Sequence, residues 1–190
     1  MTRILLLADT HVPNRARGLP DQVWRAVDAA DVVIHAGDWV DVATLDALEH
    51  RAERLIGVWG NNDPAPLRER LPGLAHETIG GVGFTVVHET GPAAGREARC
   101  DAAYRSSAAQ ATDDGPTRVL VFGHSHIPWD STTPGGLRLL NPGSATDRRR
   151  QPTCTMMVVE ADAGRLSGVQ LVSVSRSDLA PHDPRRQPQS

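Results

Sequence analysis

Apolar residues fall along this chain in short unbroken runs, and the main runs stop at a residue able to bind metal. The first, Ile4 to Ala8, has no polar break and ends at Asp9-Thr10-His11. A run so short and continuous suits a strand buried on both faces, as in a mainly parallel sheet covered by other layers. The pattern recurs in Val32-Val33-Ile34-His35-Ala36, which stops at Gly37-Asp38, and in Leu55 to Trp59, which stops at Gly60-Asn61-Asn62-Asp63. Helix-length segments lie between these runs. Pro20 suits a first helical turn, with Val23, Trp24 and Val27 as the apolar stripe. Asp41 suits the cap of a helix from Val42 to about Ala52, with Leu45 and Leu48 facing inward. Together these segments predict βαβαβ.

Beyond them the pattern predicts a short helix over Pro64 to Leu71 and strands near Ala75 to Ile79 and Gly83 to Val87, the second ending at His88. A helix is expected near Gly95 to Gln110. Arg118 to Phe122 forms another buried strand, ending at Gly123-His124-Ser125-His126. From Pro128 onward the pattern becomes hairpin-like, with strands at Trp129 to Thr133, Leu137 to Leu140, Thr153 to Ala161 and Leu166 to Val174. The turns at Pro134-Gly135-Gly136 and Ala163-Gly164 fit antiparallel pairings. No repeat or linker divides the chain, so one domain is expected over residues 1–175. The Pro-, Arg- and Gln-rich residues 176–190 are expected to form a disordered tail.

Composition narrows the function. A length of 190 residues suits one domain with a sizeable core, and a net charge of −3 gives no signal of a general nucleic-acid binder. All 20 basic residues are Arg, which reads as a coding bias. Cys100 and Cys154 are far apart and outside every motif, which excludes a disulfide framework or a sulfur-rich metal site and suits a cytoplasmic setting. The N-terminal apolar run is too short to span a membrane. No apolar stripe marks a dimer face, and a homodimer stays open.

The run ends collect seven residues of metal-binding type: Asp9, His11, Asp38, Asn61, His88, His124 and His126. Each has an ordinary reading alone. Asp9 suits a turn or a helix cap, Gly37-Asp38 and Gly60-Asn61 are common turn chemistry, and His88 suits a hydrogen-bonded core histidine. Five apolar strands ending on such residues in this order are not explained that way. An oxygen and nitrogen set without sulfur suits manganese, iron, nickel, cobalt or zinc better than calcium. Seven groups exceed the needs of one ion and fit two that share a bridging carboxylate.

The order Asp-x-His, Gly-Asp, Gly-Asn-x-Asp, His, Gly-His-x-His resembles the calcineurin-like metallophosphoesterase superfamily. The length and the Asn141-Pro142-Gly143-Ser144 segment resemble its small bacterial and archaeal phosphodiesterase branch. The resemblance implies an α/β fold, a four-layer α-β-β-α sandwich with two mixed sheets face to face and helices outside. It also implies two divalent metal ions, manganese first. One would take Asp9, His11, Asp38 and His126, and the other Asp38, Asn61, His88 and His124, so that Asp38 bridges ions about 3.5–4 Å apart. The implied reaction is hydrolysis of a small or nucleotide-like phosphodiester by a metal-bridging hydroxide.

Two positions depart from the pattern. Many members carry His where this chain has Asn62, which can orient a phosphate but cannot protonate a leaving group in the same way. His11 is then a candidate to help the leaving group. Glu89 stands where Gly is usual and adds negative charge beside the metals. Asp63 is expected to orient His11 or His124, or else to cap the Pro64 helix. His35 reads as a buried structural residue, while His50, His76 and His182 receive no role. Arg148-Arg149-Arg150 reads as a solvated loop, with phosphate contact as the alternative. Alternatives to a phosphodiesterase are a phosphomonoesterase on the same site and a non-catalytic scaffold that keeps the fold. A metallo-β-lactamase pattern would begin His-x-His-x-Asp-His and does not fit.

Overall fold

The first apolar run lies inside a sheet, and both of its faces are covered. The computed structural model describes residues 1–104 and 118–175. In chain order its first half comprises β1 (Thr2–Leu7), α1 (Asp21–Asp28), β2 (Val32–Ala36), α2 (Val42–Arg51), β3 (Leu55–Val58), α3 (Ala65–Arg70), β4 (Leu74–Ile79) and β5 (Val82–Val87). Then follow α4 (Arg96–Tyr104), β6 (Arg118–Val121), β7 (Trp129–Thr132), β8 (Leu137–Asn141), β9 (Cys154–Asp162) and β10 (Arg165–Val174). The first strands and helices match the expected βαβαβ to within a residue or two. Asp41 caps α2 by accepting from the Ala43 N–H at 3.2 Å. The expected helix to Gln110 is present as α4; its remainder and residues 176–190 lie outside the described residues.

Two five-stranded mixed sheets form, ordered β10-β9-β1-β2-β3 and β4-β5-β6-β8-β7. In the first, β1, β2 and β3 are parallel, and β9 joins β1 antiparallel with Leu5 opposite Val158. In the second, β5, β6 and β8 are parallel, while β4 and β7 pair antiparallel at the edges.

Period-two alternation explains the layers, because neighbouring residues of a strand face opposite ways. Ile4, Leu6, Ile34 and Val58 meet Phe84, Val86, Val121 and Leu140 in the core between the sheets. Leu5, Leu7 and Val33 face outward onto Val23 and Val27 of α1 and Leu45 and Leu48 of α2. Leu120, Phe122 and Leu139 cover the far side against Cys100 of α4. The result is an α-β-β-α sandwich, as expected. Each fully buried side chain of Leu or Ile size contributes about 1.5–3 kcal/mol of transfer free energy. Among the described residues, no helix is long and apolar enough to cross a membrane.

Candidate metal centre

All seven ligand-type side chains stand one to five residues past the end of a strand, in the loops after β1, β2, β3, β5 and β6. Backbone hydrogen bonds lace these loops together. Asp9 N–H donates to Gly37 O, His11 N–H to Asp38 O, and Gly123 N–H to His88 O, each at 3.0 Å. Five of the seven residues have left-handed backbone: Asp9 (φ 54°), His11 (44°), Asp38 (61°), His124 (68°) and His126 (58°). So does β-branched Val40, at 79°. Such conformations cost about 1–3 kcal/mol each and persist only where surrounding bonds enforce them.

Asp63 provides part of that enforcement. Its carboxylate accepts the N–H groups of Asp38 (3.1 Å), Val40 (2.7 Å) and Gly60 (2.7 Å), pinning the strained turn after β2 to the turn after β3. This corrects the sequence-based expectation for Asp63: it orients neither His11 nor His124, and α3 has no side-chain cap. Gly60 is required where the two turns meet, since a Cβ there would collide with the Asp38 carboxylate. The Asn141-Pro142-Gly143-Ser144 segment braces the other turns. Ser144 Oγ donates to Asp9 O (2.7 Å), and Asn141 Nδ2 donates to Gly123 O (2.9 Å).

The seven side chains form one continuous cluster. His11 Nε2 lies 3.2 Å from His126 Nε2 and 3.4 Å from Asp38 Oδ2. His88 Nε2 also lies 3.4 Å from Asp38 Oδ2, so that one oxygen sits between both sets of imidazoles. Asn61 Oδ1 is 2.9 Å from His88 Nε2 and 2.8 Å from His124 Nδ1. His126 Nε2 is 3.7 Å from Asp9 Oδ1. Asp9, His11, Asp38, His88 and His126 are buried and form the floor, while Asn61, Asn62 and Glu89 are exposed at the rim.

Two histidines are oriented by backbone carbonyls: His88 Nδ1–H donates to Ala36 O (2.8 Å) and His126 Nδ1–H to Asp147 O (2.7 Å). Each Nε2 is thereby turned into the cluster with its lone pair available, the arrangement a metal-binding imidazole needs. A carbonyl leaves no side-chain trace, which is why the sequence did not announce these partners. Asn62 donates to both Asp38 oxygens, from its N–H at 2.8 Å and from Nδ2 at 2.6 Å. Arg68 of α3 donates to Asp63 O (2.7 Å) and Asn61 O (3.0 Å) with its guanidinium over Trp59. Glu89 Oε1 lies 3.9 Å from His124 Nε2.

Burial raises the Asp9 carboxyl to about 7, against the lowering influence of His88. Burial also pushes His11 down, and His126 down to about 4. For Asp38 burial acts upward too, yet the hydrogen bonds from His88 and Asn62 hold it below the usual carboxylate range. His88 moves the other way, raised because Asp38 outweighs its burial.

These features fit divalent cations. Asp9 Oδ2 is buried with no hydrogen-bond partner, a costly state for an oxygen that a cation would satisfy. Donor atoms of Asp9, His11 and His126 lie within 4.8 Å of one another, as do those of Asp9, Asp38 and His88. The two groups share Asp9, and together they offer carboxylate and imidazole donors of the kind transition-metal dications take.

The comparisons with known proteins agree with this geometry. A family model, the calcineurin-like phosphoesterase superfamily domain, matches residues 2–164. A probable metallophosphoesterase of Methanocaldococcus jannaschii is 31% identical over 147 residues, covering 74% of this chain and 67% of the relative. One from Mycoplasma genitalium is 31% identical over 168 residues, covering 83% of this chain and 88% of its own length. The solved structure of Vps29 from Entamoeba histolytica complexed with zinc has a TM-score of 0.69 at 23% identity, covering 90% of this chain and 98% of that one. Fold, cluster and sequence match lead to one assignment: the chain belongs to the calcineurin-like phosphoesterase superfamily.

Proposed function

We propose that this protein is a dinuclear metal-dependent phosphodiesterase acting on a small or nucleotide-like phosphodiester. The observation that carries the reading is the continuous cluster of seven donor side chains around Asp38 Oδ2, which stands 3.4 Å from imidazoles on either side. Asp9, His11, Asp38 and His126 would hold one ion, and Asp38, Asn61, His88 and His124 the second. Manganese is the first choice. The zinc bound by the Vps29 neighbour supports zinc as an alternative. Bound there, divalent cations supply an ionised water at neutral pH and stabilise charge developing on phosphorus.

The chain's own residues supply position and access. Asn62 holds Asp38 through both carboxylate oxygens and so fixes the carboxylate between the two sets of imidazoles. His11 turns its Nε2 toward Asp38 and His126, which suits a ligand better than a proton donor to a leaving group. The exposed rim leaves the site open to solvent and to substrates of varied shape. A cytoplasmic location accords with this reading.

The scaffold reading is the second. The likeness to Vps29, a vacuolar protein sorting protein, and the departures at Asn62 and Glu89 favour it. The complete donor set weighs against it, because a surface used only for docking does not need a buried carboxylate oxygen without a partner. The two are separated by loading the protein with manganese, measuring its metal content, and assaying bis(p-nitrophenyl) phosphate beside p-nitrophenyl phosphate. Turnover with preference for the diester is expected. Preference for the monoester makes the protein a phosphatase, and bound metal with turnover of neither ester makes it a scaffold.

A further inference from the structure

Beside the donor cluster lies a cavity of about 290 Å³ lined by His11, Asn14, Arg15, Asn62, Asp147 and Arg149, among others. Its charged groups are unequal. Arg15 Nε lies 3.4 Å from Asp147 Oδ2, so that charge is compensated. Among the described residues no carboxylate lies within 4.0 Å of the Arg149 guanidinium, and its contact with His124 O is a long one at 3.5 Å. Its two neighbours are different. Arg148 donates to Gln151 O at 2.6 Å, and Arg150 does not line the cavity.

The backbone places Arg149 there. Its φ is 46°, a left-handed conformation that a non-glycine residue adopts only when held, and its N–H donates to Asp147 Oδ1 at 3.2 Å. Asp147 in turn accepts from His126 through its carbonyl. The loop that carries Arg149 is therefore tied to a donor of the cluster. On the same wall Asn62 directs its amide nitrogen to Asp38, so that Arg149 is the cation lining the cavity without a carboxylate partner among the described residues.

Resting on the phosphodiesterase reading, we infer that this cavity is the phosphoryl-anion subsite and that Arg149 is its anchor, donating to the non-bridging oxygens of a bound phosphate ester. A guanidinium suits this because its planar fork meets two phosphate oxygens at once. A second cavity beside the cluster, of about 380 Å³, carries both Glu89 and Arg96 among its lining residues, and there the Arg96 guanidinium lies over the rings of Phe122 and Trp129 and donates to Gly91 O at 3.3 Å.

The test compares wild type, Arg149→Met and Arg149→Lys, each loaded with manganese and measured for metal content. Inorganic phosphate is titrated calorimetrically, and KM for bis(p-nitrophenyl) phosphate is measured beside it. Arg149→Met is expected to bind phosphate at least about tenfold more weakly, with KM raised in parallel and metal content unchanged. Arg149→Lys should fall between, keeping the charge but losing the fork. If Arg149→Met binds phosphate as tightly as a wild type that turns over the diester, the anchor assignment is overturned and the enzyme reading stands. If the metal-loaded wild type neither binds phosphate nor hydrolyses an ester, both are overturned.

Discussion

Asp9 and Asp38 are both buried and yet titrate in opposite directions, and the groups they touch differ. Asp9 accepts one N–H, from His124, and leaves Oδ2 without a partner, so burial dominates and its carboxyl rises to about 7. Asp38 receives the backbone N–H and the Nδ2 of Asn62 and lies beside His88, and these overcome its burial. A cation would settle the difference by ionising Asp9 as well. His35 provides a separate test of how depth controls charge. It is wholly buried, bonded to Thr10 Oγ1 at 3.1 Å and stacked on Trp39, and burial holds its imidazole down to about 3. A depressed value means that its contribution to stability is complete above the ordinary value of 6.5 and is lost as pH falls from there toward 3. His35→Gln removes that titration and keeps a polar head for Thr10. Between pH 7 and pH 4 the melting temperature of wild type is expected to fall more than that of the variant; parallel falls would remove His35 from the acid response.

At the scale of elements, the short helix α3 acts on the site through Arg68, which bridges the carbonyls of Asn61 and Asp63. Arg68→Ala is expected to weaken manganese binding or diester turnover about tenfold, the size of effect seen when a residue supporting a metal ligand is lost. Arg68→Lys should not restore it, since an ammonium cannot reproduce the planar fork. Manganese titration beside the assay checks this, and an unchanged affinity and turnover in Arg68→Ala would show that the turn holds itself. Such supports mark the limit of what was legible. The strands ending near Asp9, Asp38, Asn61, His88 and His124 could be read directly, because an unbroken apolar run reports burial on both faces. Their partners could not: nothing local says that β9 lies against β1, or that β8 lies between β6 and β7. Asp63 looked like a second carboxylate for a histidine, because sequence spacing does not reveal that Asp38, Val40 and Gly60 turn their N–H groups toward it. The same reason hid Arg149 among three arginines that appear equally solvated.

For the molecule as a whole, the cluster lies where the two sheets meet. Asp9, His11, Asp38 and Asn61 come from loops of one sheet, and His88, His124 and His126 from loops of the other. The inter-sheet core of Leu6, Ile34, Phe84 and Val121 therefore sets the distance between the two halves of the site. Ions held by both halves would tie the sheets together and stabilise the fold by mass action. Asp38 is the residue on which that account turns, since its Oδ2 faces imidazoles from both sheets. The most direct test measures metal content and diester turnover together on manganese-loaded wild type and Asp38→Ala. The account predicts about two ions per chain with turnover in wild type. In the variant it predicts loss of at least one ion and a fall in turnover of at least about a hundredfold. An Asp38→Ala protein that keeps the wild-type metal content and full turnover would contradict it.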